Sequence, residues 1–183
     1  CASIARSSTP ADISPMPKNK AIFFDRDGTL NVDVDYLHDP LAFVWTEGAI
    51  DAVRWANAHG YLAIVVTNQS GVARGYFPER DVTRLHDWMN AELQKCGAHI
   101  DAFYYCPHHP EAKIPAYRQD CDCRKPAPGL LLRALREYNI DPAASLMIGD
   151  ALRDISCAQQ AGIRGVLYTG GDLCEAVRGA INT

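Results

Sequence analysis

The run Ala21-Ile22-Phe23-Phe24-Asp25-Arg26-Asp27-Gly28 decides how the rest of the chain is read. Four successive apolar residues are too short a run for a helix and fit a strand buried on both faces. The run stops at a carboxylate, a second carboxylate follows two residues later, and Gly28 permits a sharp turn. A strand that delivers acidic groups at its carboxyl end predicts an α/β sheet with its chemistry at that edge.

Working outward, the same grammar recurs. Ile50, Val53 and Ala56 have helical spacing and stop at Gly60. Tyr61–Val66 is rich in strand-forming residues and ends at Thr67-Asn68. Val82, Leu85, Met89 and Leu93 mark one helix face, opened near Pro78 and closed by Gly97. Ala102–Tyr105 reads as a strand. Leu131, Ala134, Leu135 and Tyr138 give a helix after Pro128. Leu146–Ile148 is a strand that ends at Gly149-Asp150. Ile155, Ala158 and Ala161 mark another helix, Val166–Tyr168 a last strand, and a short helix follows from Asp172. Strand and helix in alternation predict a Rossmann-like parallel sheet with right-handed crossovers and helices on both faces. The segments after Asp27 and around the cysteines are too short for a large cap domain. No internal repeat or interdomain linker is present.

The 183 residues suit one domain. Residues 1–17 carry several Ser and Pro and lack the apolar core of a secretory signal. They are expected to be a poorly ordered extension outside a single domain over 18–183. With 48% hydrophobic and 22% charged residues and a net charge of -4, the chain lacks a basic face for nucleic acid. No stretch is apolar enough to span a membrane. Seven cysteines, three of them close together, argue against a secreted disulfide scaffold and for a reducing, cytoplasmic setting. A monomer is expected.

Asp25, Asp27, Thr67, Lys125 and Asp150 contain the parts of phosphate-ester cleavage. Asp25, fixed by a buried strand, is placed to attack phosphorus as a nucleophile. Asp27 can protonate the leaving oxygen and then activate water. Asp25, the Asp27 carbonyl and Asp150 offer the hard oxygen ligands that magnesium takes. Lys125 adds positive charge, and Thr67 with the Asn68 backbone adds hydrogen-bond donors. Each feature alone is commonplace: an Asp-x-Asp turn, a helix cap, a loop lysine. Their recurrence at successive strand ends points to a site.

A second constellation is Cys106, His108, Cys121 and Cys123, within one segment over 106–123. Four such donors suit a closed, structural zinc site of Cys3His type. The spacing is not that of a two-residue knuckle, and free thiols or a redox pair are the bland alternative. His109 competes with His108 as the fourth ligand.

Phe23–Leu30, Val66-Thr67-Asn68, Arg124-Lys125-Pro126 and Met147–Asp150, with Asp154 following, resemble the four signatures of the haloacid-dehalogenase-like phosphatases. The resemblance runs from about Lys20 to Thr169. It implies magnesium, a Rossmann-like sheet and an acid/base role for Asp27. Within that family Asp25–Tyr36, Thr67–Gly75, Tyr105–Pro110 and Cys121–Pro126 are similar to the D-glycero-D-manno-heptose 1,7-bisphosphate 7-phosphatases of bacterial heptose-nucleotide and lipopolysaccharide synthesis. That likeness implies a small phosphorylated sugar as substrate and removal of its C7 phosphate. It implies His108 as the zinc ligand. It also implies substrate contacts from Arg26, Asp33, Tyr36, Asn68, Gln69, Ser70 and Arg124. Arg124 and Arg74 are candidates to grip a second phosphate bidentately. Two departures stand out: Asp35 where relatives commonly have glycine, and Ala151 where a lysine occurs. Histidinol-phosphate phosphatases share the aspartates and zinc loop and are the alternative reading. A silent, zinc-stapled phosphate-binding module is the alternative of another class.

Overall fold

The computed structural model describes residues 18–182, so the expected extension over 1–17 lies outside the described residues. Five strands form one all-parallel sheet: β1 (Lys20–Phe24), β2 (Tyr61–Asn68), β3 (Ala102–Cys106), β4 (Leu146–Gly149) and β5 (Arg164–Leu167). Their order is β3-β2-β1-β4-β5. The chain winds one way from β1 to β3 and the other way from β4 to β5. The order therefore reverses between β1 and β4, and the crevice above that switch point is where such sheets bind ligands. Asp25 and Asp150 flank it, because Phe24 pairs with Ile148 in register.

Period-2 alternation sends successive side chains to opposite faces. Ile22, Phe24, Ala63, Val65, Leu146 and Ile148 enter one core, with α1 (Ala49–Ala58), α3 (Glu79–Lys95) and α6 (Leu173–Ile181). Ala21, Phe23, Ile64, Val66 and Met147 enter the other, with α4 (Gly129–Glu137) and α5 (Leu152–Gln160). This two-sided burial is why the central strands are uninterrupted apolar runs. Each fully buried Phe, Leu or Ile stabilises the fold by roughly 1.5–3 kcal/mol. The expected face of α3, with Val82, Leu85, Met89 and Leu93, is buried along its length. A single short helical turn, α2 (Gly71–Arg74), follows β2.

Two of the departures from the expected strand ends bear on the fold. β2 continues through Asn68, since Thr67 and Asn68 pair with Tyr105 and Cys106. β5 begins at Arg164 rather than Val166. Gly165 packs so close to α5 that an added Cβ would lie 3.0 Å from Ile155, and this contact carries no apolar signal in the sequence. The segment from Asp25 to Gly48 holds one 3-10 turn, Pro40–Ala42, and that between β3 and α4 holds another, Pro115–Tyr117. No helix among the described residues is long and apolar enough to cross a membrane.

His86, on α3, is 4% exposed and stacks on Phe103 with ring centroids 4.5 Å apart. Its Nε2 lies 3.4 Å from the Arg26 guanidinium. Burial, helped by the Arg26 charge, holds its pKa well below the ordinary histidine value. His86 is therefore neutral in the fold, while the unfolded chain takes up its proton below about pH 6.5. The stability this contributes is complete above that pH and is lost as pH falls, at up to about 1.4 kcal/mol per pH unit. Chemical denaturation of wild type and His86→Gln from pH 7.5 to 5 should show a shallower pH dependence in the variant. Parallel curves would contradict the assignment.

Candidate active site and cysteine cluster

Asp25 closes β1. Its amide donates to the Ile148 carbonyl at 3.0 Å, so sheet hydrogen bonding fixes the backbone beneath the carboxylate. Asp25 Oδ1 accepts from the Arg26 amide at 2.7 Å and faces Lys125 Nζ at 2.7 Å. Lys125 Nζ is also 2.7 Å from Asp154 Oδ1 and donates to the Val66 carbonyl at 2.8 Å. One ammonium thus lies against three oxygens, with Lys125, Asp25 and Asp154 all buried. Burial pushes the Asp25 carboxyl up to about 6 despite the pull of Lys125, and Asp154 and Asp27 add to the rise. Burial alone lowers Lys125, but Asp25 and Asp154 outweigh it and hold the lysine above its ordinary value.

Backbone contacts place that lysine. Asn68, at the end of β2, donates from Nδ2 to the Lys125 carbonyl at 3.1 Å and accepts the Lys125 amide on Oδ1 at 3.0 Å. Two glycines admit the acids. Gly28 has φ +78, and a Cβ there would lie 2.3 Å from Asp150 Oδ2. A Cβ on Gly149 would lie 2.5 Å from Asp154 Oδ2.

Asp27 stands 23% exposed at the mouth of the site. Arg26 Nη2 donates to both of its oxygens at 3.0 Å and Nε to Oδ1 at 3.2 Å. Gln69 Nε2 donates to Oδ2 at 2.8 Å and Asn31 Nδ2 to Oδ1 at 3.1 Å. Gln69 also donates to Thr67 Oγ1 at 2.9 Å and accepts from Arg26 Nη2 at 3.1 Å. The carboxylate is therefore held from several directions.

Beside it opens a cavity of about 260 Å³ lined by Asp27, Asp33, Tyr36, Asn68, Gln69, Ser70 and Arg124, all expected site residues, with Asp35, Gly71 and Arg153. Two expected residues lie elsewhere. The Arg26 side chain is fully buried and spends its guanidinium on Asp27, Gln69 and the Leu37 carbonyl, so it reaches a ligand only through Asp27. Arg74 is not among the lining residues, and its guanidinium carbon is 5.9 Å from the Tyr36 ring centroid. Asp35 and Tyr36 adopt φ values of 52° and 55°. The left-handed region explains why glycine suits position 35, and Asp is among the residues that tolerate it best. The Asp35 amide donates to Asp33 Oδ1 at 3.1 Å, which steadies the turn.

Asp25, Asp150 and Asp154 place carboxylate oxygens within 4.8 Å of one another, with Lys125 as the nearby ammonium. Such a crowd of hard oxygens fits a divalent cation. The sequence reading left Asp154 without a role. At the third position of α5 it also accepts the Ala151 amide at 3.1 Å, as a capping carboxylate does.

In the second cluster Cys106, His108, Cys121 and Cys123 offer four donor atoms within 4.8 Å of one another. Cys123 Sγ lies 3.0 Å from Cys106 Sγ, 3.2 Å from Cys121 Sγ and 3.2 Å from His108 Nδ1. These sulfurs are too far apart for disulfides. The set of three soft donors and an imidazole fits a tetrahedral metal. His109 uses its Nδ1 to accept the Glu111 amide instead, which decides between the two histidines. Burial pushes the Cys106 thiol up to about 11. The cluster stands directly before Arg124 and Lys125. Across its loop, Tyr105 and Tyr117 both donate to Glu79, at 2.6 and 2.7 Å.

Comparison with known proteins agrees with this geometry. Residues 122–179 match the HAD-hydrolase-like family model. D-glycero-beta-D-manno-heptose-1,7-bisphosphate 7-phosphatase of Pasteurella multocida is 51% identical over 145 residues, 79% of this chain and 78% of the relative. That of Haemophilus influenzae is 50% identical over 137 residues, 75% and 74% of the two chains. A crystal structure of D,D-heptose 1,7-bisphosphate phosphatase from B. bronchiseptica, with magnesium and phosphate, superposes with TM-score 0.75 at 34% identity, covering 87% of this chain and 86% of that one. This chain belongs to the D-glycero-β-D-manno-heptose-1,7-bisphosphate 7-phosphatase family of haloacid-dehalogenase-like hydrolases.

Proposed function

We propose that the chain removes the C7 phosphate of D-glycero-D-manno-heptose 1,7-bisphosphate. The observation that carries this reading is the Asp25 carboxylate, held 2.7 Å from a buried Lys125, beside a cavity that also contains Asp27 and Arg124. An Asp25 oxygen attacks phosphorus while Asp27 gives its proton to the departing sugar oxygen, and the P–O bond to the sugar breaks. Asp27, now a carboxylate, takes a proton from water as that water attacks the phosphorus of phospho-Asp25. The bond to Asp25 breaks and inorganic phosphate leaves. Lys125, the Thr67 hydroxyl and the Asn68 amide donate to the phosphoryl oxygens throughout. Asp25, the Asp27 carbonyl and Asp150 would hold magnesium, which adds positive charge to the phosphoryl oxygens. Asp154 serves this set by fixing Lys125.

The cysteine cluster would hold zinc in a structural role, with no ligand position left for water. It braces the turn that presents Arg124 and Lys125. A cavity of about 260 Å³ suits a small substrate, with Asp33, Gln69 and Ser70 as the candidate partners of its hydroxyls.

Phosphate release with magnesium should favour the heptose bisphosphate over histidinol phosphate by about tenfold or more in kcat/KM, the worth of one good charge-assisted contact. Equal or reversed preference would remove the substrate assignment and leave the Asp25 chemistry standing. Replacing both Cys121 and Cys123 by Ser should cost about one zinc per chain on elemental analysis, with a lower thermal midpoint. Undiminished zinc in that variant would exclude the site as drawn.

A further inference from the structure

We infer that Arg153 is a specificity-determining residue that grips the substrate's second, non-reacting phosphate together with Arg124. The inference rests on the bisphosphate reading above. A phosphate monoester carries about -1.5 to -2 charges near neutral pH, so a bisphosphate needs cations at both ends. Lys125 serves only one end, because its ammonium lies 2.7 Å from Asp25 at the reacting end. The cavity beside it carries three carboxylates, Asp27, Asp33 and Asp35, against two cations, Arg124 and Arg153. Arg124 makes one long hydrogen bond, from Nη1 to the His108 carbonyl at 3.4 Å. Among the described residues Arg153 has no hydrogen bond from its guanidinium and no ion pair within 4.0 Å.

Position strengthens the case. Arg153 is the second residue of α5, where the helix dipole favours anions and disfavours a guanidinium. An exposed cation placed against the dipole, with no carboxylate within 4.0 Å, gains little for the helix. An anion bound in the cavity gives the Arg153 guanidinium the partner it lacks. Ala151, one residue after Asp150, brings no charge, so Arg153 is the cation that the β4–α5 turn presents to this cavity. Two guanidiniums from separate segments, 124 and 153, then offer forked donors to one phosphate.

Arg153 also lies near enough to Asp150 to lower its pKa, so the experiment must separate an effect on the metal-binding carboxylate from one on the ligand. Wild type, Arg153→Ala, Arg153→Lys and Arg153→Glu are compared on two pairs of substrates. One pair is the heptose 1,7-bisphosphate and heptose 7-phosphate; the other is fructose 1,6-bisphosphate and fructose 6-phosphate. In each pair the ratio of kcat/KM for bisphosphate over monophosphate is taken, with the magnesium concentration for half-maximal rate. Arg153→Ala should lower the ratio about tenfold, Arg153→Glu further, and Arg153→Lys should restore part of it, while the magnesium requirement stays the same. Equal losses on both members of a pair, or a loss tracking a weaker magnesium response, would overturn the inference. So would a wild type that favours neither bisphosphate. A wild type that favours the fructose pair's bisphosphate over the heptose one would sink the heptose reading, and the ratio in Arg153→Ala would still decide the role of Arg153.

Discussion

The ammonium of Lys125, held between Asp25 and Asp154, is the interaction on which the rest depends. Three carboxylates gathered at a sheet switch point repel one another, and two of them are buried. A single fully buried cation that touches both makes the arrangement tolerable. Removing one partner from such a buried pair typically costs about 3–5 kcal/mol, because the other charge is left unpaired. The surrounding structure is organised to place that one atom. Asn68 clamps the lysine backbone, Val66 takes its third donor, and the cysteine cluster anchors the chain two residues earlier. Strands β1, β2 and β4 each bring a terminus to the same edge of the sheet.

Asp27 shows the complementary solution. It must face the ligand, so it is held from behind rather than buried. Arg26 supplies the counter-charge and is itself desolvated, with Gln69, the Leu37 carbonyl and neutral His86 around its guanidinium. A chain of contacts thus runs from α3 through His86 and Arg26 to the Asp27 carboxylate. Packing of a remote helix thereby bears on the direction of the Asp27 carboxylate.

The alternation of apolar runs and helical faces made the sheet, its helices and its functional edge legible, because Phe23–Phe24, Ile64–Val66 and Leu146–Ile148 cannot be satisfied on a one-sided surface. The site was legible where a polar residue interrupts a strand end, as at Asp25, Thr67 and Asp150. What stayed hidden was polar residues working through long-range contacts. Arg26 reads as a ligand-facing cation, yet lies fully buried. Asp154 follows the fourth signature with no role of its own in the sequence, yet balances Lys125. The Tyr105–Glu79–Tyr117 brace joins three segments with no shared periodicity. Arg153 is a single charge on a helix, a pattern that belongs in most sequences to a solvated face. Asp35 was visible as a departure, but its cause, a left-handed backbone, was not.

In the proposed mechanism an oxygen of Asp25 forms the bond to phosphorus. Enzyme quenched in acid during turnover of the heptose bisphosphate, then digested and analysed by mass spectrometry, tests it directly. A phosphoryl group on the peptide that contains Asp25, localised to that residue and absent from an Asp25→Asn chain that still folds, is the predicted result. Sustained turnover with no phosphoryl adduct, or undiminished turnover in Asp25→Asn, would contradict it.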